Sequence, residues 1–180
     1  HTEADQAQAL QTLIQRQLPL ITRRLDMTLK KLKAPHMVGR EEIAAAEWWQ
    51  NLRTRYESHG VQFELDGALD GCVVPAELFD SVADNLLQNA IKKRGMEQGV
   101  TIRAHFAPAQ GGALRVLDSG SAMPTEVAAK LFDAPVASHT GLGIGLYQAA
   151  RQAEQLGYRL RVAQNAAGQV GFELRMANLE

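Results

Sequence analysis

Asn85, Asn89 and Lys92 stand at i, i+4 and i+7 of the run Leu-Phe-Asp-Ser-Val-Ala-Asp-Asn-Leu-Leu-Gln-Asn-Ala-Ile-Lys-Lys, residues 78–93. In a helix such positions share one stripe. Carboxamide oxygens are hard, neutral ligands that leave a magnesium ion its charge and most of its waters. A lysine ammonium adds a point charge for phosphate oxygens. Together they suit a metal-bound polyphosphate, although an amphipathic helix with a solvated polar face would read the same way. Two later segments add to the pattern. Val116-Leu117-Asp118-Ser119-Gly120-Ser121-Ala122-Met123-Pro124 is an apolar strand running into an aspartate and a glycine turn. Thr140-Gly141-Leu142-Gly143-Ile144-Gly145-Leu146 sets glycines at alternate positions before an apolar helix.

The elements that must position these residues follow from periodicity. Phe79, Val82, Ala83, Leu86, Leu87 and Ala90 recur at helical spacing and form the core side of the asparagine-bearing helix, which Pro75 starts. Upstream, Glu41–Tyr56 reads as a helix whose Trp48 and Trp49 suit core packing between layers. Val61–Leu65 alternates as a half-buried strand, and Cys72-Val73-Val74 reads as a short one. Val100–Phe106 and Ala113–Leu117 are strands joined through Gln110-Gly111-Gly112. Leu146–Leu156 continues as a helix, and Tyr158–Val162 and Val170–Arg175 close a hairpin around Asn165–Gly168. The expected fold is α+β, a two-layer α/β sandwich whose mostly antiparallel sheet carries helices on one face. Before it, residues from about Ala4 to Lys33 read as one long helix. Ile14, Leu18, Ile21, Leu25, Thr28 and Leu32 form a heptad-like seam, interrupted at Pro19.

Helix, then Asp-x-Gly, then Gly-x-Gly-x-Gly is the order of the Bergerat-type ATP-binding fold. The chain resembles the catalytic domain of bacterial sensor histidine kinases over roughly Val61–Met176. Asp84–Lys92 is similar to their N box, Asp118–Pro124 to the G1 box, Gly141–Leu146 to the G2 box, and Leu131-Phe132-Asp133 to the F box. The resemblance implies binding of ATP with Mg2+. The metal would lie on Asn89 and Asn85, and the nucleotide would meet Lys92, Lys93, Asp118, Gly120, Met123, Phe132, Thr140, Gly141, Leu142, Gly143, Ile144, Gly145 and Leu146. Asp118 would accept a hydrogen bond from the adenine amino group, and Gly120 would let the backbone approach the base. Gly141, Gly143 and Gly145 would aim backbone amides at the triphosphate from a helix N-terminus.

The resemblance further implies that residues 1–36 are the second helix of a dimerisation hairpin and residues 37–180 the catalytic domain. A homodimer and a response-regulator receiver domain are the implied partners. The acceptor histidine of this family sits in a His-(Glu/Asp)-x-x-(Asn/Thr) setting that none of the five histidines has. It is expected upstream, in a longer protein. Hydrolysis is not expected. Related ATPases carry a Glu four residues before the metal-binding Asn, where this chain has Asn85, and a carboxamide takes no proton from water. Asp84, one residue away on a helix, is turned about 100° aside. Three departures bear on affinity: Ala122 replaces a G1 glycine, Lys93 replaces an aromatic residue, and only about sixteen residues separate Met123 from Thr140. They suggest a weakly held or fast-exchanging nucleotide.

Composition narrows the classes. A formal net charge of −1 argues against broad electrostatic binding to nucleic acid. The single Cys72 builds neither a disulfide framework nor a zinc cluster and fits a reducing, cytoplasmic setting. No apolar run approaches the roughly 20 residues that cross a bilayer, so direct membrane contact is not expected. Two other readings stay open: an anti-sigma-factor-type serine kinase of the same fold, and a degenerate, non-catalytic signalling and dimerisation module. The N-terminal seam argues against the first. Ala122 and the short lid favour the second.

Overall fold

The computed structural model describes residues 41–133 and 142–177. The N-terminal seam, its break at Pro19, and Thr140 and Gly141 lie outside the described residues. The elements run β1 (Glu42–Ala44), α1 (Ala45–Tyr56), β2 (Val61–Leu65), β3 (Val73–Pro75), α2 (Ala76–Met96), β4 (Ile102–Ala107), β5 (Ala113–Asp118), α3 (Thr125–Lys130), α4 (Leu142–Gln155), β6 (Tyr158–Ala166) and β7 (Gln169–Met176).

Five strands make one sheet in the order β2-β4-β5-β7-β6. The β2–β4 pair is parallel, with Val61 opposite Ile102, and the other three pairings are antiparallel. A parallel pair needs a crossover connection, and α2 lies within it. Period-2 alternation sorts the faces. Ile102, Ala104, Phe106, Leu114, Val116, Leu160 and Leu174 are buried, while Arg103 and Arg115 point outward. The helices cover the buried face. Leu78, Phe79, Val82, Ala83, Leu86, Leu87 and Ala90 form the core side of α2, and Leu146, Ala149, Ala150 and Ala153 that of α4. An aromatic cluster fills the space under α1. Trp48 meets Phe79 edge-on at 5.2 Å, and Trp49 stacks on Phe106 at 5.6 Å.

Two boundaries differ from the sequence reading. The stretch read as helix from Glu41 begins with a strand, because Glu42–Ala44 pairs antiparallel with Val73–Pro75 in a separate two-stranded sheet. That long-range pairing overrides local helix preference. Helix α2 runs to Met96 rather than ending near Lys93, with Lys93 and Arg94 in its last turn. Among the described residues no helix is long and apolar enough to cross a membrane.

Candidate functional site

Helix α2 carries both ends of the candidate site. At one end Asn85 meets α4: a Cβ at Gly145 would overlap Asn85 Oδ1, so glycine there lets α4 lie against the carboxamide as it stands. Asn85 Nδ2 donates to the Ser81 carbonyl at 2.7 Å, which fixes the carboxamide. At the other end Lys93 Nζ donates to Asp118 Oδ1 at 2.7 Å and to the Ser121 carbonyl at 2.5 Å. Asn85 and Lys93 are eight residues apart, roughly 12 Å along a helix. Asn89 lies between them, half-buried. That length suits a ligand with a ring at one end and phosphates at the other.

The loop after β5 is pinned from three sides. Asp118, 8% exposed, accepts from the Gly120 amide at 2.9 Å. Glu97, just past α2, takes the Ser121 amide at 2.8 Å and the Ser121 hydroxyl at 2.6 Å. Those hydrogen bonds hold the Glu97 carboxyl below its ordinary range. Asn165 forms a reciprocal pair with Met123, accepting its amide at 2.8 Å and donating to its carbonyl at 3.0 Å. The Gly168 amide donates to the Gly120 carbonyl at 2.9 Å. Sequence reasoning assigned no role to Glu97, Ser121 or Asn165. Glu97 follows Lys93 by one helical turn, a signal that could have linked them; Asn165 read only as a turn residue.

The remaining expected residues are placed as follows. Lys92 is exposed and borders a groove with Tyr56, Asp84 and Gln88 on the α1 side of the helix. Met123 is half-buried, and Phe132 meets Phe172 edge-on at 6.5 Å. Leu142 and Gly143 open α4. Ile144 is 59% exposed, whereas Leu146 is fully buried in the core. Ala122 is exposed. Asp84 is turned toward α1, accepting from the Tyr56 hydroxyl at 2.9 Å and from Arg55 at 3.4 Å. Burial pushes the Asp84 carboxyl up despite these partners, and pushes the Tyr56 hydroxyl up as well.

Among the described residues no three His, Cys, Asp or Glu side chains converge on a possible metal site. On this helix the carboxamide oxygens of Asn85 and Asn89 are the hard, neutral donors that would suit Mg2+. The fixed carboxamide of Asn85 beside the amide-bearing start of α4 fits such a group.

The chain belongs to the family of histidine kinase-, DNA gyrase B- and HSP90-like ATPases, which it matches over residues 75–178. Its relatives point the same way. Sensor protein LytS of Staphylococcus saprophyticus is 28% identical over 121 residues, 66% of this chain and 20% of LytS. The chain thus spans a fifth of the length of that curated relative. The nucleotide-free catalytic domain of histidine kinase ThkA superposes with a TM-score of 0.63 at 22% identity, covering 76% of this chain and 95% of that one. ThkA in complex with the response regulator TrrA gives 0.62 at 18% identity, over 91% of this chain and 49% of that one. Acinetobacter baumannii histidine kinase AdeS gives 0.66 at 17% identity, over 91% and 81%. The mixed, mostly antiparallel sandwich and the resemblance to sensor-kinase ATP-binding domains are both borne out.

Proposed function

We propose that this chain is the ATP-binding catalytic part of a two-component sensor histidine kinase, which transfers the ATP γ-phosphate to a histidine in an acceptor helix. The observation that carries the reading is that one helix, α2, touches Asp118 at one end and Gly145 at the other. Asp118 takes the adenine amino group, with Gly120, Met123 and Phe132 around the base. Asn89 and Asn85 would hold Mg2+, Lys92 on the exposed rim of α2 would reach phosphate oxygens through its flexible stem, and the glycine segment that leads into α4 would offer backbone amides to the triphosphate. Mg2+ held there would supply positive charge to offset the negative charge that develops during transfer.

The protein's part is to position and neutralise. Asn85, four residues before Asn89, has no basic oxygen for activating water. The neighbouring carboxylate of Asp84 is turned aside and held by Tyr56 and Arg55 of α1. ATP therefore stays intact until a nucleophile is presented, which is the logic of a kinase. Residues 1–36 supply one helix of a dimerisation hairpin, and residues 37–180 the catalytic domain, in the cytoplasmic part of a homodimeric sensor. The phosphoryl group passes on to a receiver domain, a partner supported by the ThkA complex with its response regulator.

The test is transfer in trans. The chain is mixed with a histidine-bearing acceptor hairpin and radiolabelled ATP. Mg2+-dependent labelling of the hairpin, lost in Asn89→Ala, is the expected result. Equal labelling with Asn89→Ala, or labelling of a serine instead, would contradict it.

A further inference from the structure

The space beside Asp118 is filled from α2. The Lys93 stem passes so close to Gly120 that a Cβ there would overlap Lys93 Cε. Its ammonium is bonded to Asp118 Oδ1 and the Ser121 carbonyl, at 2.7 and 2.5 Å. The pair is secluded, with side-chain exposures of 18% for Lys93 and 7% for Asp118. Asp118 Oδ1 already accepts the Gly120 amide at 2.9 Å, so that oxygen holds two donors. One turn later Glu97 grips both the amide and the hydroxyl of Ser121. Lys93 and Glu97 together fasten the loop after β5 onto the end of α2.

We propose that Lys93 is a tethered competitor for the base: its ammonium sits on Oδ1 of the Asp118 carboxylate and its stem covers Gly120, so it fills the space in which an adenine ring would present its amino group to Asp118. The inference rests on the assignment of Asp118 to the base given above. Lys93 and Asp118 are ionised on both sides of their hydrogen bond, whereas the adenine amino group is a neutral donor, so the lysine is the stronger partner. The base therefore gains little at Asp118 until the lysine leaves. The four-carbon stem allows that departure, since a lysine can swing its head into water. Affinity in the wild-type chain then comes chiefly from the phosphate end, and discrimination between bases is weak. Lys93 sets specificity without touching the phosphates.

Calorimetric titration of the 180-residue chain tests this, using Mg-ADP, Mg-GDP and Mg-tripolyphosphate as probes. Lys93→Ala removes the competitor. Lys93→Gln keeps a neutral donor beside Asp118 and guards against loss of folding, which thermal melts check. Lys93→Ala is expected to bind Mg-ADP about tenfold tighter or more, the scale of a hydrogen bond to a charged group, with a smaller gain for Lys93→Gln. Mg-GDP, whose O6 would face the carboxylate, gains nothing, and tripolyphosphate is unchanged. Adding Asp118→Asn to Lys93→Ala erases the gain. If Lys93 variants bind Mg-ADP equally or more weakly while Asp118→Asn alone weakens it, the competitor is overturned and the base site stands. If no folded variant, nor the wild type, binds Mg-ADP at millimolar concentration, the base site itself falls and the inference with it.

Discussion

Asn85 and Gly145 are matched in size. Any side chain at 145 would have to displace the Asn85 carboxamide or shift α4 from α2. Gly145→Ala is expected to cost about 1–3 kcal/mol as an overpacking change, read from denaturant melts. It should also weaken Mg-nucleotide binding. Adding Asn85→Ala to Gly145→Ala should restore stability but not binding, because the space returns while a metal-facing carboxamide is lost. Recovery of both would mean that Asn85 serves packing alone. The three glycines, which alone read as a flexible turn, were legible as a motif because they follow the asparagine-bearing helix and the Asp-x-Gly turn in order. Which of them a neighbour requires was not legible, because Asn85 and Gly145 are 60 positions apart. Lys93 is the sharper case. Its departure from an aromatic residue could be read from the sequence, but its partner Asp118 lies 25 residues on, and only the packing of α2 against β5 brings them together.

Helix α2 was the most legible element, because its apolar residues, from Phe79 to Ala90, repeat over about three turns and leave a polar stripe. Strand β1 was the least. Glu42–Ala44 continues a helical pattern and becomes a strand only through its partner, with Glu42 opposite Pro75. Under α1, the tryptophans read as core are core. Trp48 is 1% exposed, and Trp48→Ala should cost about 3–5 kcal/mol in a denaturant melt.

The outer face of the sheet holds a feature that no local pattern announced. Glu173 on β7, 1% exposed, accepts from Arg115 on β5 at 2.6 Å and from Arg161 on β6 at 2.7 Å. Burial alone would raise its carboxyl, but those guanidinium hydrogen bonds outweigh it and hold the group below its ordinary 4.5. A folded-state pKa below the unfolded one gives stability that is present above about pH 4.5 and lost as pH falls through the lowered value. Glu173→Gln should therefore lose about 1–2 kcal/mol at neutral pH and show a flatter acid limb in thermal melts than the wild type. An identical acid limb would remove Glu173 from the account.

At the scale of the whole molecule, a two-layer sandwich of an ATPase family presents one helix as the floor of the proposed site, with β5 and α4 beside it. Nearly all of that architecture could be anticipated, because alternation and helical period each encode which face is buried. The grip of Glu97 and Asn165 on the loop after β5 could not, since each side chain bonds across a turn whose path is set by the sheet. The measurement that bears most directly on the central claim is amide hydrogen exchange with and without a Mg2+-bound, non-hydrolysable ATP analogue. One nucleotide lying along α2 predicts simultaneous protection of residues 116–124, 142–146 and the Asn85–Lys93 turns, all dependent on Mg2+. Protection of one of these segments without the others, or of none at saturating analogue, would contradict it.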